Sequence, residues 1–122
     1  MNLNIRQQLV SYTNYTFGRN NSKKWLTIHE TANRNRGANA AAHANLQSRL
    51  NPSPVSWHWQ VDDKEAVQSF THDWQLYHAG DGAGNGNKHS IAIETCVHEG
   101  NDWASTKANL IALAIKICRD EG

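Results

Sequence analysis

Residues 104–120 constrain the rest of the chain most. They contain no proline or glycine, and Leu110, Ile111, Leu113, Ala114, Ile115 and Ile117 fall on most sides of a helix rather than on one stripe. A helix this apolar is expected to be largely buried. The chain has 122 residues, enough to build one hydrophobic core around such a helix and too few for two. One domain spanning 1–122 is the expectation.

What the helix packs against is written in short alternating runs. Residues 24–31 read as a strand with Leu26 and Ile28 on its core face and Trp25, Thr27 and His29 on the other. Residues 38–50 are alanine-rich, with Ala40, His43, Ala44, Gln47 and Leu50 on one helical stripe, and Asn51-Pro52-Ser53-Pro54 stops that helix. Residues 55–61 and 65–70 alternate around the turn Asp62-Asp63-Lys64, which predicts a hairpin. In it Trp57 and Trp59 share one face, His58 and Gln60 the other. A glycine-rich stretch at 80–87 leads into an apolar strand at 90–97. It lacks a GxGxxG followed by a helix, so a phosphate-cradling loop is not expected. Strands alternating with helices, without an internal repeat, imply an α/β fold with a mixed central β-sheet flanked by helices.

Composition narrows the partners. Lys and Arg total 12 against 11 Asp and Glu, and a net charge of +1 gives no field that would favour nucleic acid. No apolar run reaches membrane-spanning length. Residues 1–10 carry Arg6 among polar amides where a signal peptide would need an apolar stretch, so synthesis in the cytoplasm without a leader is expected. Cys96 and Cys118 sit in apolar surroundings without metal-binding spacing and read as small core hydrophobes. Five Trp and seven His in a chain of low mean hydropathy suit a groove that stacks on sugars or peptides, or else scattered core and surface aromatics.

Two residues could carry chemistry. Glu94, in Ile91-Ala92-Ile93-Glu94-Thr95, faces away from the core side of a strand whose neighbours are uncharged. A carboxylate inside an apolar strand is costly unless it is paired or functional, so Glu94 is either a general base or half of a structural ion pair. His29, closing its strand, is either a metal ligand or a hydrogen-bonded structural residue.

Four strings then occur in order: Trp25-Leu26-Thr27-Ile28-His29-Glu30-Thr31; Val55-Ser56-Trp57-His58-Trp59-Gln60-Val61-Asp62-Asp63; His78-Ala79-Gly80-Asp81-Gly82 with Gly84-Asn85-Gly86-Asn87; and Ser90-Ile91-Ala92-Ile93-Glu94. Together they resemble the zinc-dependent N-acetylmuramoyl-L-alanine amidases of phage endolysins and Bacillus-type autolysins, relatives of the peptidoglycan recognition proteins. The resemblance runs from about Leu9 to Gly122. It implies an enzyme that cuts bacterial peptidoglycan at the cell wall, between N-acetylmuramic acid and the L-alanine of the stem peptide. By the same resemblance His29 matches a zinc ligand and Glu94 the glutamate acting on metal-activated water. Trp57, His58, His78 and Gly80 match the substrate groove.

The chain also departs from the family. The other two zinc ligands belong to a segment after the long C-terminal helix, where this sequence ends, so an amidase domain lacking its C-terminal segment is the expectation. No HxH or HxxxH pair is present to replace them. The second reading is a non-catalytic peptidoglycan-binding module with an incomplete zinc site. An apolar C-terminal helix left partly uncovered is further expected to promote self-association.

Overall fold

The computed structural model describes residues 3–49 and 51–122. Leu50, expected on the stripe of the first helix, lies outside them. Ten elements follow in chain order: β1 (Ile5–Gln7), β2 (Thr16–Gly18), β3 (Trp25–Glu30), α1 (Ala40–Ser48), β4 (Trp59–Val61), β5 (Ala66–Gln68), β6 (Gln75–Leu76), α2 (Asn85–His89), β7 (Ser90–Thr95) and α3 (Trp103–Glu121). Five strands form a mixed sheet in the order β1-β5-β4-β7-β3, and β2 pairs with β6 in a separate antiparallel ribbon. Within the large sheet only β4 and β5 run antiparallel.

β7 lies between β3 and β4 with both faces covered, which is why Ile91-Ala92-Ile93 is apolar without interruption. On one face Trp59, Val61, Ala66, Ile91 and Ile93 pack against Leu113 and Ile117 of α3. On the other Val67 and Cys96 pack beneath Ala40 and Ala44 of α1. Alanines on the inner stripe of α1 let its backbone come close to the sheet. Asp62 joins the two layers. Its carboxylate accepts the backbone N–H of Ala40 at 2.9 Å, at the start of α1, and those of Lys64 and Glu65 at 2.8 and 2.9 Å, in the β4–β5 turn. Asn39 caps α1 in the usual way, accepting from the Ala42 N–H at 2.9 Å.

Several expectations need correction. α3 is not largely buried: it buries Thr106, Asn109, Leu113 and Ile117, while Ile111 and Ile115 are 51% and 48% exposed. One sheet face covers one stripe of a helix, and the remaining apolar residues point outward. Ile28, placed on a core face, is 52% exposed because β3 is the sheet edge. Cys96 is buried, but Cys118 is exposed. The hairpin strands are shorter than expected, and Trp57 precedes β4. Trp57 therefore escapes the strand alternation: its indole bonds Gln60 on the α1 side, whereas Trp59 joins the α3-side core.

Candidate active site

Three neighbouring strands end together at the site. The register sets His29 of β3 beside Glu94 of β7, and Glu94 beside Gln60 of β4. Residues paired across a sheet share a face, so all three side chains lie on the α1 side. The three strands are parallel, and the residues sit near their carboxyl ends, where crevices in open α/β sheets form.

Glu94 is half-buried. Burial alone lifts its carboxyl from an ordinary 4.5 to about 7, since no charged or hydrogen-bonding neighbour among the described residues offsets the lost hydration. It lines a cleft of about 280 Å³ together with His43, Val55, Trp57 and His78. Val55 and His78 also line an adjoining hollow of about 540 Å³ with Phe17, Tyr77, Gly80 and Gly82. The Phe17 and Tyr77 rings lie 4.8 Å apart and give that second space an aromatic wall. A larger hollow, about 660 Å³, runs past Glu30, Arg34, His98 and Trp103. It contains neither Glu94 nor His78, so the smaller cleft with the buried carboxyl is the better candidate.

Trp57 is held from three sides. Its indole N–H donates to Gln60 Oε1 at 2.7 Å, its backbone N–H to Gln47 Oε1 at 3.1 Å, and its carbonyl accepts from Gln47 Nε2 at 3.1 Å. Gln60 spends its own amide on the Val67 carbonyl and Ser69 Oγ, at 2.8 and 2.9 Å. Sequence reasoning missed both glutamines as parts of the site. The available signal was a glutamine in the interior of an apolar strand, which must find partners when buried.

The glycine-rich stretch forms the frame behind His78. The backbone N–H groups of His78 and Ala79 donate to Asn87 Oδ1 at 2.9 and 2.8 Å, and Asp81 accepts from the Gly86 and Asn87 N–H groups at 2.7 and 3.1 Å. A Cβ on Gly86 would stand 2.4 Å from the Ala79 Cβ, so only glycine fits there. His78 Nδ1 lies 3.1 Å from His29 Nε2. Burial, and then the nearby His29, push the His78 imidazole down to about 4; burial also lowers His29.

His58 does not join this groove. It is fully buried; the Ala92 N–H donates to its Nδ1 at 3.0 Å, and its Nε2–H donates to the Trp74 carbonyl at 2.9 Å. Burial takes it down to about 3, so it is a neutral internal strut rather than a substrate contact. Of the remaining expected positions, Trp57 and His78 line the cleft with Glu94, and Gly80 lines the adjoining hollow.

Whether these residues could hold zinc is a matter of donors. A catalytic zinc needs three protein ligands. Among the described residues no three His, Cys, Asp or Glu side chains converge in that way. His29 offers one imidazole, Cys96 is a buried thiol whose pKa burial raises, His72 bonds Glu121, and His89 bonds Ser22. The described residues do not complete a zinc site.

Residues 19–121 match the N-acetylmuramoyl-L-alanine amidase family. The chain is 45% identical over 86 residues to the N-acetylmuramoyl-L-alanine amidase XlyA of Bacillus subtilis, covering 70% of this chain and 28% of that protein. It is 38% identical over 97 residues to the amidase CwlH of the same organism, covering 79% of this chain and 38% of that protein. It therefore spans less than half the length of these curated relatives. Among solved structures the catalytic domain of XlyA superposes with a TM-score of 0.90 at 36% identity, over 98% of this chain and 78% of that one. A mutant endolysin from Bacillus subtilis does so with a TM-score of 0.91 at 38% identity, over 98% and 77%. The mixed sheet with its flanking helices is thus the fold of endolysin amidase domains.

Proposed function

Since the chain belongs to the N-acetylmuramoyl-L-alanine amidase family, we propose that it hydrolyses the amide between N-acetylmuramic acid and the L-alanine of the stem peptide in bacterial peptidoglycan, at the cell wall. The observation that carries this reading is Glu94, a half-buried carboxyl held at about 7, beside His29 and open to a cleft. Amide hydrolysis needs a group that takes a proton from the attacking water and returns it to the departing amine, and such a group works best with a pKa near the working pH. Glu94 meets that requirement. Trp57, rigid on Gln47 and Gln60, supplies a flat apolar wall, and His78 and Gly80 line the way into the aromatic hollow. The two connected spaces suit a substrate that extends in both directions from the bond to be cut.

In this reading zinc is the cofactor expected from the family, and His29 is one of its ligands. The incomplete donor set favours a second reading, a module that binds peptidoglycan without cutting it.

The deciding experiment incubates the chain and its Glu94→Gln variant with purified peptidoglycan, with and without zinc, and counts new N-terminal alanines alongside the fraction of protein bound to the wall. Release of stem peptides with N-terminal alanine that Glu94→Gln abolishes supports the hydrolase. Release that the variant leaves intact overturns the role of Glu94, and binding without release under all conditions supports the second reading.

A further inference from the structure

We propose that His78 is a positioning residue that, through Ser90, fixes the tautomer of His29 so that Nδ1 is its unprotonated nitrogen. The inference deepens the amidase reading, because it rests on His29 as a residue of that site.

The argument follows one proton at a time. Ser90 Oγ lies 2.5 Å from the Gly86 carbonyl oxygen, which can only accept, so the single hydroxyl proton of Ser90 is committed there. The Thr27 hydroxyl donates to Ser90 Oγ at 2.9 Å. Ser90 Oγ is left with acceptor capacity alone toward His78 Nε2, at 3.3 Å, and that nitrogen must carry hydrogen. A neutral imidazole has one N–H, so His78 Nδ1 is a bare acceptor. His29 Nε2, 3.1 Å away, must then be the donor. His29 is left with a lone pair on Nδ1, for which the described residues provide no hydrogen-bond partner.

Each link comes from an element fixed for its own reasons. Ser90 is fully buried at the start of β7, Thr27 and His29 belong to β3 paired with it, and His78 is held by Asn87. The relay thus ties the state of one imidazole to the packing of the sheet and the glycine-rich loop. A histidine that acts as ligand or base must present a chosen nitrogen, and the hydrogen bond made by the other nitrogen decides which.

The test is read from the ring nitrogens, independently of any amidase activity. Two-bond 15N–1H correlation spectra of the chain, kept free of metal by a chelator, should show His29 and His78 each as the single tautomer protonated at Nε2, with a His29 Hε2 signal protected from exchange with water. His78→Phe removes the acceptor; the His29 nitrogens should then move toward the averaged shifts of mixed tautomers, and the Hε2 signal should vanish. His78→Asn places an amide oxygen near the former Nδ1 and should restore both features. Ser90→Ala should loosen the tautomer of His78 first and of His29 with it. A proton on His29 Nδ1 in the unaltered chain, or His29 signals unchanged in both His78→Phe and Ser90→Ala, would overturn the proposal. Peptidoglycan assays that fail while these spectra hold would remove the amidase reading and leave the relay standing.

Discussion

Replacing Glu94 with glutamine isolates the cost of holding a carboxyl in the cleft, because the amide keeps the shape and cannot ionise. The native carboxyl sits at about 7 against an ordinary 4.5, with burial as the only cause. Between those values the folded chain binds more protons at this position than the unfolded chain does, so its stability falls as the pH rises through the window. At 1.36 kcal/mol for each pH unit the full displacement is about 3.4 kcal/mol, and partial exposure of the group brings the expected penalty to about 2 kcal/mol. Glu94→Gln should therefore match the unaltered chain near pH 4 and exceed it by about 2 kcal/mol at pH 8, roughly 8 °C in Tm for a domain of this size. His29, His43 and His78 surround this carboxyl in both chains alike. Urea unfolding followed by tryptophan fluorescence, in chelator and at several pH values, gives the comparison. A difference that does not change with pH, or a variant less stable at pH 8, would refute the claim that Glu94 is an unpartnered buried acid.

His58 sets the opposite slope. With its native value near 3, the unfolded chain takes up a proton that the folded chain refuses, and stability should fall as the pH drops below 6.5, by about 4 kcal/mol on reaching pH 3.5; fluorescence-monitored acid unfolding with a midpoint below pH 3 would contradict this. Gly86→Ala should lower stability by about 1–3 kcal/mol through the clash with Ala79 and Asp81, read as a fall in Tm. Leu113→Ala should cost about 3 kcal/mol and Ile111→Ala less than about 1 kcal/mol in chemical denaturation, since only the former side chain is fully buried. Ile111 and Ile115, exposed one turn apart on α3, should drive self-association at high concentration, and replacing both with lysine should abolish it; a clean monomer by light scattering in the unaltered chain would speak against that.

The elements legible in the sequence were those long enough to show a period. Six residues of β3 and six of β7 alternate, and this alternation put His29 and Glu94 on non-core faces before any pairing was known. β1, β2 and β6 are two or three residues long, too short for a period, and they owe their existence to backbone partners far along the chain, such as Val67 for Arg6 and Leu76 for Thr16. The helix α2 was hidden in a run of glycine and asparagine with low helix propensity, where Asp81 supplies acceptors for its first N–H groups.

The misreadings at the site share one physical origin. Period and residue type say which way a side chain leaves the backbone, but not what waits there. His58 and His29 are both histidines next to apolar strand residues. One finds Ala92 and Trp74 backbone groups on either side of its ring and becomes internal support, while the other lies at the sheet edge with His78 as its neighbour. The difference is made by the parallel pairing of β7 with both β3 and β4, a choice among contacts more than thirty residues apart in sequence. Among the described residues the same pairing leaves Glu94 without a countercharge. An ion pair there would have needed a Lys or Arg at the paired position of β3 or β4, and those positions hold His29 and Gln60. Register thus argues against the structural ion pair among the described residues, and the unpaired acid it leaves is what the proposed role of Glu94 rests on.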